Sequence, residues 1–490
     1  MIMSRKGFDF LINIFLYIAL ACIILGLSSL GMASEPELPS GLGADTREKT
    51  IAPLLPEGLS SSTASGEPML PSGIDTEQSE LQETAVSTSP LLPISGFWEV
   101  RAGRRLQEDP HEKETSLGEM RLQLETEKNW DRAVLRLNAD FLADLVLEEY
   151  DTDLERGEGI VDLREASLLL RPSEIMDIKI GRQILTWGTG DMLFINDLFP
   201  KDWQSFFIGR DTEYLKAPSD ALKTSFFLPA FNFDLVYTPR FDSDRGITGE
   251  RISYYNSATG MIAGRNLIAD LARPDDCFDD DEWALRVYRT IGGLEIAAYG
   301  YRGFWKSPAG MDMASGEATY PDLDVIGGSL RGQLGKGIAN AEFGYYNSRN
   351  DDDGSNPLVR NSEWRFLFGY EMEVGKDFTA GMQYYVELMD DYDNYQRYAP
   401  RGTPESDKLR QVITLRLTKL LMDQNLILSL FTYYSPSDRD SYLRPNIQYK
   451  ITDAWMIETG GNIFMGEDKH TFFGQFEDNT NAYCALRFNF

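Results

Sequence analysis

Histidine and cysteine are almost missing from this 490-residue chain, which holds two His and three Cys. Cys22 falls in an N-terminal apolar run, with Ala19 where a lipoprotein signal usually has Leu. That leaves Cys277 on an acidic stretch and Cys484 on the apolar face of a strand, so a disulfide framework is excluded. Enzymes that activate a nucleophile commonly use His as the base. His111 and His470 both lie in predicted loops without a recognisable motif, and the chain reads as a non-enzyme. No haem, nucleotide or zinc motif is present, so no cofactor and no metal are expected. Cations are also scarce: 47 Lys and Arg against 77 Asp and Glu leave a net charge of -30, which argues against nucleic acid as a partner. Beyond residue 30 no second run of 18 apolar residues occurs, and the mean hydropathy is -0.32. A helical membrane protein is thereby excluded.

The N-terminus carries an address. Arg5 and Lys6 precede an apolar run from Leu11 to Leu30, and Gly31-Met-Ala33 offers small residues where a signal peptidase reads. Residues 1–33 are expected to be a secretory signal. An uncleaved anchor is the alternative, since the run is long enough to span a bilayer. Residues 34–95 are rich in Pro, Ser, Thr, Gly and Glu and contain no aromatic residue. They cannot bury enough apolar surface to offset their ordering entropy, and are expected to form a disordered periplasmic linker, open to a periplasmic partner.

Aromatic residues are plentiful: 23 Tyr, 27 Phe and 8 Trp. In the last strand Ala482, Cys484, Leu486, Phe488 and Phe490 share one face, while Asn481, Tyr483, Arg487 and Asn489 share the other. A period of two with one apolar face suits lipid on one side and water on the other. The same alternation frames a tight turn at Gly375-Lys-Asp377. Trp364, Phe366, Phe368, Tyr370, Met372 and Val374 precede it, and Phe378, Ala380, Met382, Tyr384, Val386 and Leu388 follow. Similar pairs surround Trp130-Asp131, Gly292-Gly293, Gly335-Lys-Gly337, Asp423-Gln424 and Thr452-Asp453.

About eighteen strands are expected, beginning near 96, 116, 131, 160, 175, 222, 232, 283, 293, 323, 338, 362, 376, 408, 425, 441, 453 and 480. Alternation slips in those near 160, 222 and 232, and Arg182 falls on the apolar side, which suggests a bulge or an early strand end. Short turns follow every second strand and longer loops follow the others. This is the signature of an all-β, transmembrane antiparallel barrel over 96–490 in the bacterial outer membrane, with short periplasmic turns and long outer loops. Lipid and lipopolysaccharide would then be its surroundings.

The predicted outer loops carry Asp275-Asp276, Asp279-Asp280-Asp281, Asp351-Asp352-Asp353 and Asp390-Asp391. None has the spacing of a Ca²⁺ loop, so they read as solvated negative surface, with divalent-cation binding as the alternative. Inside the barrel, the faces opposite the apolar ones place Arg101, Arg105, Arg410, Arg416, Arg444 and Arg487 near the closure. Arg121, Arg132, Arg136, Arg286, Arg331 and Arg365 lie further round. Inward acids include Glu99, Glu119, Glu125, Asp140, Glu342, Glu363, Glu371 and Glu458. An arginine ladder favours anions, whereas interleaved acids make ion pairs and leave weak selectivity.

One loop is unlike the others. Between the strands near 175 and 222 lie Trp187, Asp191, Phe194, Phe199, Trp203, Phe206 and Phe207, followed by Arg210, Asp211, Glu213 and Lys216. So much apolar surface is unsuited to a solvated loop. The segment is expected to fold into the lumen and narrow it, with a short helix after Pro200; an outer cap packed on other loops is the alternative. Glycines in the strands near 323 and 338 (Gly327, Gly335, Gly344) suggest open space in the lumen.

Gly181-Arg182-Gln183 followed by Trp187-Gly188 resembles the strand and loop start of porin-like barrels of the alginate-export type and related eighteen-stranded porins. The resemblance covers this short motif and the overall layout. It implies an outer-membrane channel passing small hydrophilic or anionic solutes or anionic polysaccharide, with Arg182 and Gln183 near the constriction. A plugged structural or adhesive barrel is the competing reading. The linker at 34–95 is not a feature the resemblance implies.

Overall fold

The computed structural model describes residues 93–147, 151–400, 402 and 404–490. The expected signal at 1–33 and all but the end of the expected linker lie outside the described residues.

Eighteen strands form one sheet. The first six are β1 (Ile94–Arg105), β2 (Thr115–Trp130), β3 (Ala133–Asp144), β4 (Val161–Ser173), β5 (Met176–Ile184) and β6 (Pro218–Phe227). Next come β7 (Asn232–Thr238), β8 (Glu282–Ile291), β9 (Leu294–Phe304), β10 (Asp322–Leu334), β11 (Gly337–Ser348) and β12 (Glu363–Gly375). The circuit finishes with β13 (Phe378–Met389), β14 (Leu409–Leu421), β15 (Leu426–Ser435), β16 (Asp440–Lys450), β17 (Trp455–Gly466) and β18 (Asn481–Asn489). Each pairs antiparallel with the next, and β1 closes on β18 in a register from Phe97↔Asn489 to Arg105↔Asn481. Beyond the last paired residue, the Phe490 amide donates to Gly96 O and the Gly96 amide donates back. The Phe490 backbone therefore extends the seam, and the eighteen-stranded sheet has no free edge.

Pairing follows the alternation in the sequence. On β12 and β13 the outward Phe368 and Met382 are more than half exposed, whereas the inward Leu367 is fully covered. Outward Phe141, Ile326, Leu330 and Phe343 continue the same apolar belt. Aromatic pairs mark both rims: Tyr237–Trp283 at 4.5 Å and Tyr345–Trp364 at 4.6 Å on the loop side, and Trp455–Phe488 at 4.9 Å on the turn side. A closed, even-numbered antiparallel barrel with an apolar belt between aromatic girdles satisfies every backbone group internally, which hydrocarbon demands. It is a bacterial outer-membrane barrel. Among the described residues no helix is long and apolar enough to cross a membrane, which says nothing of strands.

Three local expectations change. The connection from β15 to β16 is only 436–439, so one outer loop is short. Near Arg182 the β4–β5 register is regular and shifts only at the far end, between Leu170 and Ser173; a bulge lies in β3–β4, where Asn138 pairs with Glu165 and Ala139 with Leu163, leaving Arg164 over. The irregularity in β5 is a positive φ of 110° at Gly181, where an added Cβ would sit 2.3 Å from Ala166 O.

Candidate functional site

The loop 185–217, between β5 and β6, crosses the lumen, and its sequence explains how. Asp202 caps a one-and-a-half-turn helix, α1 (Trp203–Ile208), by accepting from the Ser205 amide at 2.7 Å. Gly209 ends it at φ 94°, where any Cβ would strike the Tyr483 ring. The loop thus has two halves, each docked on a different wall.

The second half packs on the seam wall, β16–β18 with β1 and β2. Phe207 lies 5.3 Å from Phe464 and 5.1 Å from Phe476, and Phe206 lies 5.7 Å from Tyr442. The carbonyls left open at the end of α1 are met by wall arginines. Arg101 donates to Gly209 O at 2.7 Å, and Arg444 donates to Phe206 O at 3.1 Å and Arg210 O at 2.5 Å. Arg210 pairs with Glu119 at 2.7 Å, Arg487 with Asp211 at 3.3 Å, and Tyr214 donates to Asp140 at 2.8 Å beneath the Arg121 guanidinium. The remaining faces of these cations are held by Glu99, Glu119, Asp140 and Glu458. Charge taken out of water has to be paired, and here it is paired completely enough to act as glue.

The first half meets β9–β15. Trp187 packs edge-on against Phe199 at 4.9 Å and leans on Tyr299. Glu342 accepts from the Thr189 and Gly190 amides and from the Asn196 side chain at 2.9 Å. Gln383 accepts from the Asp191 amide at 3.1 Å, and Tyr433 donates to Met192 O at 2.6 Å. Asp191 is paired with Arg416 at 2.9 Å. Two residues of this strip, Gly188 at φ 83° and Met192 at φ 58°, lie in the left-handed region. For Met that conformation costs energy and is held by its surroundings.

Two cavities flank the strip along the same strands. The outer one, about 370 Å³, takes Arg365 from β12, Glu387 from β13 and Arg410 and Val412 from β14. The inner one, about 30 Å³, takes Glu371, Gln383, Thr414 and Arg416 from those same strands, with Arg331 from β10. Met192 and Leu193 line the outer chamber, and Thr189 and Asp191 the inner. The strip 189–193 is where one gives way to the other.

The arginines grouped by sequence therefore separate. Arg101, Arg121, Arg444 and Arg487 brace the loop and do not line an open pore, and Arg210 and Asp211 belong to the same bracing. Arg105 is not a lumen residue: it ties outer loops together through Lys113 O, Arg251 O and Asn479. Arg136 lies near the periplasmic turn, half-exposed and paired with Glu127 at 2.7 Å. Arg182 binds Leu163 O, Leu154 O and Asp220, joining two wall strands and an outer loop instead of shaping a constriction. Gln183 is fully buried, with its amide on Ala221 O. Arg331, Arg365, Arg410 and Arg416 do face the chambers. Of these Arg331 stands apart, because its buried Nε has no hydrogen-bond partner.

The expected open space at Gly327 and Gly344 is filled by the loop. A Cβ at Gly327 would lie 1.9 Å from Asn196 Oδ1, and one at Gly344 2.8 Å from Ile195 Cγ2. Sequence reading missed Lys201, Lys306 and Arg360 in the outer chamber, because they come from loops of no fixed period. Inward aromatic residues such as Tyr346, Tyr433 and Tyr442 were the available signal, since a water-filled lumen has no use for them. Among the described residues no group of three or more His, Cys, Asp or Glu is arranged to hold a metal ion.

No family model and no curated protein matches the chain. Solved structures similar to it include Acinetobacter baumannii OccAB4, at 10% identity and a TM-score of 0.49 over 81% of this chain and 97% of that one. Pseudomonas aeruginosa OccK11 (OpdR) gives 9% and 0.47 over 81% and 95%. A loop-deletion form of the Vibrio cholerae outer membrane protein OmpT gives 12% and 0.38 over 81% and 99%. At such identities and scores these likenesses carry no functional argument, and the reading of this barrel rests on its own geometry.

Proposed function

We propose that this protein is a solute-selective outer-membrane channel whose inward loop divides the lumen into two chambers, with the strip 189–193 and the Asp191–Arg416 pair as its constriction. The observation that carries the reading is the pair of chambers stacked on β12–β14, with Met192 and Leu193 of that strip lining one and Thr189 and Asp191 the other. A lumen crossed in this way favours small solutes over the polysaccharide that the alginate-export resemblance implies. Any anion preference is modest and comes from Arg331, because the seam arginines and, through Asp191, Arg416 are already neutralised. We assign it no catalytic role. Lipid and lipopolysaccharide are the partners we assign to the apolar belt, and a periplasmic partner to residues 34–95.

The second reading, a plugged structural barrel, is favoured by one observation: loop and wall aromatics form a single buried cluster, from Trp187 to Phe476. Single-channel recording of the refolded protein under a salt gradient decides between them. Steady conductance with a small anion-directed reversal potential supports the channel, and Asp191→Ala should enlarge the conductance. Silence from a verifiably folded barrel, persisting in Asp191→Ala, supports the plug.

A further inference from the structure

The outer chamber has an unusual combination of lining groups. Its floor and sides are Leu193, Phe194, Leu198, Phe199, Trp203 and Phe472. Leu193, Phe194, Leu198 and Trp203 are only partly buried, so each packs one side on the core while the chamber takes the other. Phe194 and Phe472 stand 6.1 and 6.4 Å from the Trp203 ring, both edge-on. Lys201 stands over the Phe194 ring at 4.5 Å and Arg410 over the Phe472 ring at 5.6 Å, so these rings also turn the neighbouring cations toward aromatic surface.

Charged groups are also present, but they are spent. Lys201 is bound to Asp197 at 3.1 Å and to Phe199 O at 2.7 Å. Lys306 is bound to Glu282 at 2.6 Å, and Arg365 and Arg360 share Glu363 at 2.7 and 3.0 Å. Arg410 lies between Asp438 at 2.7 Å and Glu387 at 3.3 Å. Asp244 accepts from the Lys201 amide, Ser307 Oγ and Trp203 Nε1. Five cations face Asp197, Asp244, Glu282, Glu363, Glu387 and Asp438, so the rim is close to neutral. An anion entering it would have to displace a carboxylate from its arginine or lysine, and a cation would meet the converse obstacle. An uncharged apolar molecule displaces only water from aromatic and aliphatic surface.

We infer that the outer chamber is a binding site for an uncharged ring-sized apolar solute, one or two fused rings across. The volume agrees: about 370 Å³ is more than twice the ~150 Å³ that holds one benzene in a protein interior. The inner chamber, where Arg331 Nε is unpartnered, has the opposite chemistry and no comparable room. The inference rests on the outer chamber being the entrance of the proposed channel, but its test reads binding and not passage.

The test uses the full barrel in lipid nanodiscs, with 1-naphthol, 1-naphthoate and 1-naphthylmethylammonium as neutral, anionic and cationic probes. Isothermal titration is run at neutral pH against empty nanodiscs. The expected result is saturable binding of 1-naphthol, at least about tenfold tighter than either charged probe. Phe194→Asn and, as a second variant on the open wall, Leu193→Asn should each weaken it several-fold, while Arg331→Gln leaves it unchanged. Naphthoate binding as tightly as naphthol would overturn the inference in favour of an anion site. So would naphthol uptake no greater than by empty nanodiscs, or binding indifferent to both wall variants in barrels that migrate as folded. A protein that binds 1-naphthol yet never conducts keeps this site and loses the channel.

Discussion

The seam wall and the neighbouring wall of β12–β14 carry the same residue type on the same inward face, with different consequences. On the seam, Arg101 and Arg444 end on backbone carbonyls of the loop, and both are almost wholly buried. Two strands round from Arg444, Arg410 and Arg416 on β14 keep about a quarter of their side-chain surface open and line the chambers. An inward arginine is thus neither a pore residue nor a brace by virtue of its strand position. What docks against it decides, because a loop that brings carbonyls and carboxylates converts a solvated charge into a buried one.

The contrast is broken most forcefully by removing a seam brace. Arg101→Ala would leave Glu99, Glu458 and Gly209 O without their shared donor, and loss of one partner from a buried ionic cluster costs about 3–5 kcal/mol. A matching fall in denaturant midpoint is expected, and an unchanged midpoint would show that the seam ion pairs are not what holds the loop. Phe207→Ala empties the centre of the aromatic cluster and should cost about 3 kcal/mol while raising conductance as α1 loosens. Stability measured beside single-channel current checks both halves of that expectation.

On the β12–β14 wall the balance inverts. Asp191→Ala should change stability by less than about 1 kcal/mol, since its partner is partly solvated, but should enlarge unitary conductance roughly twofold. A stability loss as large as that of Arg101→Ala would erase the distinction between the walls. Arg331→Glu should move the reversal potential toward cations with little effect on folding, whereas the exposed pair partner Arg136→Glu should barely move it.

The smallest effect expected is on an outer loop. Burial, and then the neighbouring Glu250 carboxylate, push Glu158 up from its ordinary 4.5 to about 7. The folded loop therefore binds the proton more tightly than the unfolded one, so packing of 151–160 is firmest at low pH and weakens as pH rises from about 4.5 to about 7. Protection of 151–160 against hydrogen exchange, corrected for the intrinsic base-catalysed rate, should fall over that window, and Glu158→Gln should abolish the fall.

Much of the barrel could be read from the chain because each strand separates lipid from lumen at every second residue. Even β4, β6 and β7, where alternation slips, begin within four residues of the expected starts near 160, 222 and 232. The bulge at Arg164 explains one slip: an extra residue in β4 exchanges the faces of that strand on either side of it. The aromatic content of 187–207 likewise announced a segment with a burial demand. Its wall partners could not be foreseen, since they are scattered from Arg101 to Arg487.

By itself, then, the sequence determined the strand count, the apolar and polar face of most strands, the tight turns and the need of one loop for an apolar partner. All of these rest on local periodicity and turn chemistry, which are properties of neighbours along the chain. Only the tertiary structure decided which inward arginines are spent. Arg101 finds Glu458 and Arg210 finds Glu119 across hundreds or tens of positions, once the barrel closes and the loop enters it. Pairing in a lumen depends on distance across a closed ring, and no period along a strand encodes that.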